Sequence, residues 1–220
     1  MVEIIPAILT NNPDEAKRLA LLAEGKVERV QIDIIDGVFA NNKTIDPVVF
    51  EEVETTLKLD YHLMVKNPVN WVERCIRGGA DRIIGQIEMM ENQTEFVGKV
   101  QEVGAYVGLA IDIDTPVSKL DPTILTNLDA VLVMSVPAGF GGQEFNEKVL
   151  DKIKELDEIR ARDTSPFKLI DDGGVSLEDV AKAHFSGIDE VAIGRRIFEG
   201  DLEENLEKFQ KAAHRLNNDD

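Results

Sequence analysis

The chain has 220 residues, with 24 lysines and arginines against 42 aspartates and glutamates, for a formal charge of −18. That balance repels nucleic acid and anionic membrane surfaces, so an anionic ligand has to be held by local features. The single cysteine, Cys75, excludes an internal disulfide and a cysteine-based zinc cluster, and no apolar run reaches membrane-spanning length, so the expectation is one soluble, cytoplasmic domain over 1–220.

Strand and helix signals alternate from the start. Val2 to Leu9 reads as a strand, and Asn12-Pro13-Asp14-Glu15 opens a helix with a capping side chain, a proline in the first turn and acids at the positive end of the dipole. Arg29 to Ile35 is a second strand; after a loop from Gly37 to Ile45, Asp46-Pro47 opens a helix from Val48 to about Leu57. Leu57 to Val65 follows as strand three, with Asn67-Pro68 capping the next helix. Arg82 to Ile87 is strand four, and Asn92 to Glu102 a helix. Tyr106 to Ile111, Ala130 to Ser135, Phe167 to Asp171 and Glu190 to Ile193 supply four more strands. Their helices are expected at Pro116 to Leu125, Asn146 to Arg162, Ser176 to His184 and Glu203 to Ala213.

Eight such pairs with short connections predict an α/β fold, a closed (β/α)8 TIM barrel, because closure leaves no strand edge exposed; an open doubly wound sheet is the alternative. In a barrel, ligand chemistry gathers at the C-terminal ends of the strands. Asp33, His62, Ser135, Asp172 and Gly194 all fall at or near such ends.

Gln31 and Asp33 are two apart and share a strand face, while Val30, Ile32 and Ile34 line the other. Asp33 and Asp172 lie on strands two and seven, placed to approach one ligand from different sides. If one acid removes a proton from a carbon beside a carbonyl and the other returns it on the opposite face, the stereocentre inverts. Taken singly, each acid is more simply a turn former. With His62 at a third strand end they form a set of hard and borderline ligands for a divalent ion, with Gln31 a candidate further donor through its amide oxygen. The other histidines, His184 and His214, sit on expected helices, where a surface role is simpler.

Three glycine turns, Ala138-Gly139-Phe140-Gly141-Gly142-Gln143, Asp172-Gly173-Gly174 and Ile193-Gly194-Arg195-Arg196, follow strands six to eight, where such barrels hold phosphate. Each alone is a tight turn. Arg195 adds a positive charge there, and Arg196 either adds another or pairs with a helix acid.

The chain resembles the ribulose-phosphate 3-epimerase family from Ile5-Pro6 to Ile197-Phe198. Val133-Met134-Ser135-Val136-Pro137-Ala138-Gly139-Phe140-Gly141-Gly142-Gln143 is the most specific match, joined by Asp33-Ile34-Ile35-Asp36-Gly37, His62-Leu63-Met64 and Asp172-Gly173-Gly174. The resemblance implies a phosphate-binding barrel that inverts carbon 3 of a pentulose 5-phosphate. Asp33 and Asp172 would be the proton-transfer pair, and Asp33, His62 and Asp172 would hold a divalent ion: manganese, magnesium, iron or zinc. Met64, Met134, Gly139, Gly141, Gly142, Gly173, Gly174, Gly194 and Arg195 would line or bind the sugar phosphate, with His62 beside them. A homo-oligomer is implied as well.

The chain departs from that pattern at Gln31, where the family has a metal-binding histidine, and at Ala7, where it has a substrate-contacting serine. It departs also at Ile35, Gln86, Asp112-Ile113-Asp114 and Pro137-Ala138. Two other readings therefore stand beside the first: a noncatalytic sugar-phosphate-binding barrel, and an epimerase of a ketohexose 6-phosphate. A decarboxylase of a related barrel would need Asp-x-Lys-x-x-Asp where this chain reads Asp60-Tyr61-His62-Leu63-Met64, which has no lysine.

Overall fold

The structure, a computed structural model, describes residues 2–164, 166–180 and 187–214. Eight parallel strands close into one barrel in sequence order: β1 (Glu3–Ile8), β2 (Arg29–Ile35), β3 (Lys58–Met64), β4 (Ala80–Gln86), β5 (Tyr106–Ile111), β6 (Ala130–Met134), β7 (Lys168–Asp172) and β8 (Glu190–Ile193). β8 pairs back to β1, from Glu3 with Glu190 to Pro6 with Ile193. The open-sheet alternative is thereby excluded.

Alternation along the strands divides the apolar residues into two layers. Val30, Ile32 and Ile34 of β2 join the core between barrel and helices, whereas Ile84, Ala110, Leu132, Met134 and Ile170 pack together inside the barrel. Helix α1 (Pro13–Ala23) lies on the outer layer through Ala16, Ala20 and Ala23, spaced to share one face. Its N-terminus is capped by Asn12, whose Oδ1 accepts from Asp14 N at 3.0 Å and Glu15 N at 3.3 Å. Helices α2 (Val72–Arg77), α3 (Gln93–Glu102) and α4 (Val149–Arg160) follow β3, β4 and β6. A helical turn, Arg195–Phe198, and the helix Leu202–His214 follow β8.

Two expected helices are replaced. After β2, only a 3-10 turn forms, Pro47–Phe50, capped by Asp46 Oδ1 on Val48 N at 3.2 Å. The segment beyond it holds Val53, Thr55 and Thr56, poor helix formers, and Glu24 at the end of α1 offers an alternative by accepting from Thr56 N and both threonine hydroxyls. After β5, Pro122 falls in the middle of the expected helix, and only the turns Val117–Lys119 and Leu125–Asn127 form. Asn67 is no side-chain cap either: it sits at φ 50° with no capping hydrogen bond, ahead of a 3-10 turn, Pro68–Trp71, that leads into α2.

Residues 177–180 are helical, and the rest of the helix expected to reach His184 lies outside the described residues. His214 bonds through Nδ1 to the Gln210 carbonyl at 2.6 Å, one turn back on its own helix. Among the described residues no helix is long and apolar enough to cross a membrane.

The N-terminal end of the barrel is closed by charge. Arg29 Nη1 donates to Asp60 Oδ1 at 2.7 Å, Arg82 Nη2 lies 2.6 Å from Asp60 Oδ2 and 2.5 Å from Glu190 Oε2, and Lys168 reaches Glu190 Oε1 at 2.6 Å. Four of these side chains are almost wholly buried. Their mutual neutralisation allows a polar plug opposite the functional end.

The candidate active site at the C-terminal ends of the strands

The long loop after β2 is fastened by two side chains. Thr44 Oγ1 donates to Asp33 O at 2.7 Å and accepts from Ile35 N at 2.8 Å, extending the edge of β2, and Asp36 Oδ1 accepts from Val38 N and Phe39 N. The loop after β6 is held from two sides as well. Asn42 Nδ2 donates to Gly139 O at 2.9 Å, and Asp112 Oδ1 accepts from Ala138 N at 3.1 Å. Lys152 of α4 in turn holds the Asp112 and Thr115 carbonyls at 2.6 and 2.5 Å. Asp112 and Ala138 therefore meet each other.

These loops surround a cavity of about 460 Å³ at the strand ends, a size for a small molecule rather than a polymer. Asp33, Met64, Met134, Gly139, Gly141, Gly142, Asp172, Gly173, Gly174, Gly194 and Arg195 all line it, whereas His62 lies buried beneath the lining. Gly174, at φ 66°, makes a turn so close to the β6 loop that a Cβ would meet Gln143 O at 2.6 Å. Arg196 braces the same turn by donating to Gly174 O at 2.5 Å and Val175 O at 3.2 Å, so among the described residues it pairs with carbonyls rather than a helix acid. Arg195 is exposed and ion-paired with Glu199 at 3.0 Å. Ser135 lies outside the cavity lining: it is buried, its hydroxyl bonded to Asp171 on the helix-facing side of β7.

One wall was not anticipated. Leu9, Thr10, Glu15, Arg18 and Leu19, from the end of β1 and from α1, also line the cavity, beside Ala7. The Glu15–Arg18 pair, 2.8 Å apart, is visible in sequence as an i,i+3 contact, but its facing the strand ends depends on how α1 lies on the barrel.

At the cavity floor, Asp33 pairs in register with His62 across β2 and β3, and Asp172 arrives from β7. His62 Nδ1 lies 3.3 Å from Asp33 Oδ1 and 3.5 Å from Asp172 Oδ2. Burial opposes a charge on the imidazole, but the carboxylates of Asp172 and Asp33 outweigh it and push His62 up to about 9. Burial pushes Asp33 above the usual carboxylate range, against its contacts with His62 and Gln31 and with the charge of Asp172.

His62 is fully buried, and neither ring nitrogen has a well-formed hydrogen bond. One ligand atom from each of Asp33, His62 and Asp172 falls within 4.8 Å of the others. An unsatisfied imidazole facing two carboxylates fits a divalent ion, so this group could hold one. Gln31 differs from expectation: it is the amide nitrogen, not the oxygen, that faces the acids, 2.9 Å from Asp33 Oδ1 and 2.7 Å from Asp172 Oδ2.

The sequence profile described as the ribulose-phosphate 3 epimerase family matches residues 3–198. The chain belongs to that family. Among its relatives, ribulose-phosphate 3-epimerase of Bacillus subtilis (strain 168) is 30% identical over 202 residues, covering 90% of this chain and 93% of the relative. The enzyme of that name from Escherichia coli (strain K12) is 34% identical over 206 residues, covering 89% and 88%.

Solved structures with the same fold include orotidine 5'-phosphate decarboxylase from Pyrococcus horikoshii OT3. Its TM-score is 0.62 at 12% identity, with 95% of this chain and 99% of that one covered. A mutant tryptophan synthase alpha-subunit from Pyrococcus furiosus has a TM-score of 0.69 at 16% identity, with 96% and 97% covered. At such identities these two speak for the barrel alone. This chain brings Asp33, His62 and Asp172 to one point, with the Gln31 amide against both acids and Ala7 in the cavity wall.

Proposed function

We propose that the protein is a sugar-phosphate 3-epimerase that inverts carbon 3 of a ketopentose phosphate by proton transfer through Asp33 and Asp172. The observation that carries this reading is the convergence of two buried carboxylates, from β2 and β7, at the floor of a cavity sized for one small molecule. Family membership and the names of the relatives favour ribulose 5-phosphate as the substrate.

In this reading one carboxylate takes the proton from carbon 3 and the other, as its acid, delivers one to the opposite face of the enediolate. Met64 and Met134 give the sugar an apolar floor. Backbone N–H groups of Gly173, Gly174 and Gly194, helped by Gly141 and Gly142, hold the phosphate, and Arg195 adds a charge that its pairing with Glu199 partly offsets. Asp33, His62 and Asp172 would hold a divalent ion. When bound, it supplies positive charge beside the substrate oxygens on which negative charge grows. We expect it to be weakly held and to be manganese or magnesium before zinc, because Gln31 replaces an imidazole and leaves an oxygen-rich set.

A second reading is an epimerase of a ketohexose 6-phosphate, which the small side chain of Ala7 in the cavity lining favours over a pentulose-only site. A cytoplasmic homo-oligomer belongs to the same proposal.

Incubating the purified protein, with and without added manganese, with ribulose 5-phosphate and with ketohexose 6-phosphates in coupled assays separates these readings. Turnover of the pentulose phosphate by a factor of ten or more over the hexulose phosphates is expected. Binding of either sugar phosphate without turnover would mean a noncatalytic barrel.

A further inference from the structure

The amide nitrogen of Gln31 touches Asp33 Oδ1 at 2.9 Å and Asp172 Oδ2 at 2.7 Å, the same two oxygens that face His62 Nδ1. An amide nitrogen carries two hydrogens and can donate one to each carboxylate. Turned over, the amide would set its oxygen against two acceptor oxygens at contact distance, so the nitrogen belongs on this side. Gln31 is buried on β2, one strand repeat before Asp33, and has no solvent to turn to.

The two oxygens it holds are those that a cation shared by Asp33 and Asp172 would need. Each of those oxygens already gives a lone pair to a charge-assisted hydrogen bond, and an amide N–H pointing at the space between them opposes a cation that draws on both negative charges.

We propose that Gln31 is a positioning residue that holds the two carboxylates together without an ion, and that its amide competes with a divalent ion for them rather than ligating it. The competition is a property of this chain's own side chain. It rests on the epimerase reading only for the name of the acids' task, because the competition itself is read from binding.

The two roles for Gln31 predict opposite signs. In calorimetric titration of chelator-treated protein with manganese, Gln31→Leu removes a competitor and should tighten binding by tenfold or more relative to the wild type. If Gln31 were a ligand, the same substitution would weaken binding, and that result, or an unchanged affinity, would overturn the proposal. Retained far-ultraviolet dichroism is the control for folding.

Should Gln31→Leu fail to fold, the wild-type protein carries the test alone. Its two Gln31 side-chain amide protons, observed by NMR, should resonate downfield of an ordinary glutamine amide in metal-free protein, where each faces a carboxylate, and move upfield on saturation with magnesium. Shifts that stay downfield at saturation, or are ordinary beforehand, would contradict the proposal. None of these readouts needs turnover, so an inactive protein that shows them refutes the epimerase reading and leaves this one standing.

Discussion

Gly139, in the loop after β6, lies so close to Ala40, in the loop after β2, that a Cβ at 139 would meet the Ala40 Cβ at 2.4 Å. The Gly139 φ of 106° is also one that side-chain-bearing residues rarely adopt. Together with the Asn42 bond to the Gly139 carbonyl, this contact fixes one rim of the cavity against the other. Gly139→Ala should therefore leave the barrel folded and displace the rim. A fall in kcat/KM of roughly tenfold to a hundredfold is expected, the scale on which small misplacements of binding groups act. Steady-state kinetics beside a thermal melt checks it, and wild-type kinetics would show that the rim does not position the ligand.

The charged plug at the opposite end predicts a stability effect separate from function. Arg82 serves Asp60 and Glu190 at once, and burial presses the Asp60 carboxyl upward while Arg82 and Arg29 oppose it. Arg82→Met would leave both acids undercompensated in a buried place, with a loss of about 3–5 kcal/mol. Urea denaturation measures the loss. Activity at a temperature where the variant stays folded should be within about twofold of wild type, because the plug lies at the far end of the strands from the cavity.

Asp171 predicts a dependence on pH. It is buried on the helix-facing side of β7, and burial pushes its carboxyl up to about 7, opposed by the Ser135 hydroxyl and reinforced by the charges of Asp172 and Asp179. Because the folded state holds this proton more tightly than the unfolded chain, the group's contribution to stability is full below the unfolded pKa. It falls as pH rises from about 4 to about 7, by a total on the order of 4 kcal/mol. Asp171→Asn keeps an acceptor for Ser135 and removes the titration. Denaturation at a series of pH values should show the wild type losing stability relative to the variant across that window. Parallel curves would mean that Asp171 does not carry a raised pKa.

Much of this was legible in the sequence because strands announce themselves by apolar runs. The bounds of β2, β5 and β8 are those read from sequence, and the acids at the ends of β2 and β7 are the ones that meet. The helices after β2 and β5 were not legible, because a cap and a proline at the start outweighed, in the reading, the threonines and the Pro122 further along.

The sequence placed the Gln31 amide on the face of Asp33 but not the end it turns toward the acids, since that depends on Asp172, which arrives from β7, three strands away around the closed ring. The Arg29–Asp60–Arg82–Glu190 plug and the α1 wall were missed for a related reason. Their residues are ordinary along the chain and become a group only when the barrel closes.

The central claim, that Asp33 and Asp172 move a proton at carbon 3, is tested most directly by following ribulose 5-phosphate in D2O by proton NMR with the wild type, Asp33→Asn and Asp172→Asn. The swap keeps shape and removes the basic oxygen. The account predicts deuterium at carbon 3 and formation of the carbon-3 epimer with the wild type, and in each folded variant a loss of roughly 10²- to 10⁴-fold or more, with the sugar phosphate still bound. Exchange at the wild-type rate in either variant, or a wild-type protein that binds the sugar phosphate and exchanges nothing, would contradict it.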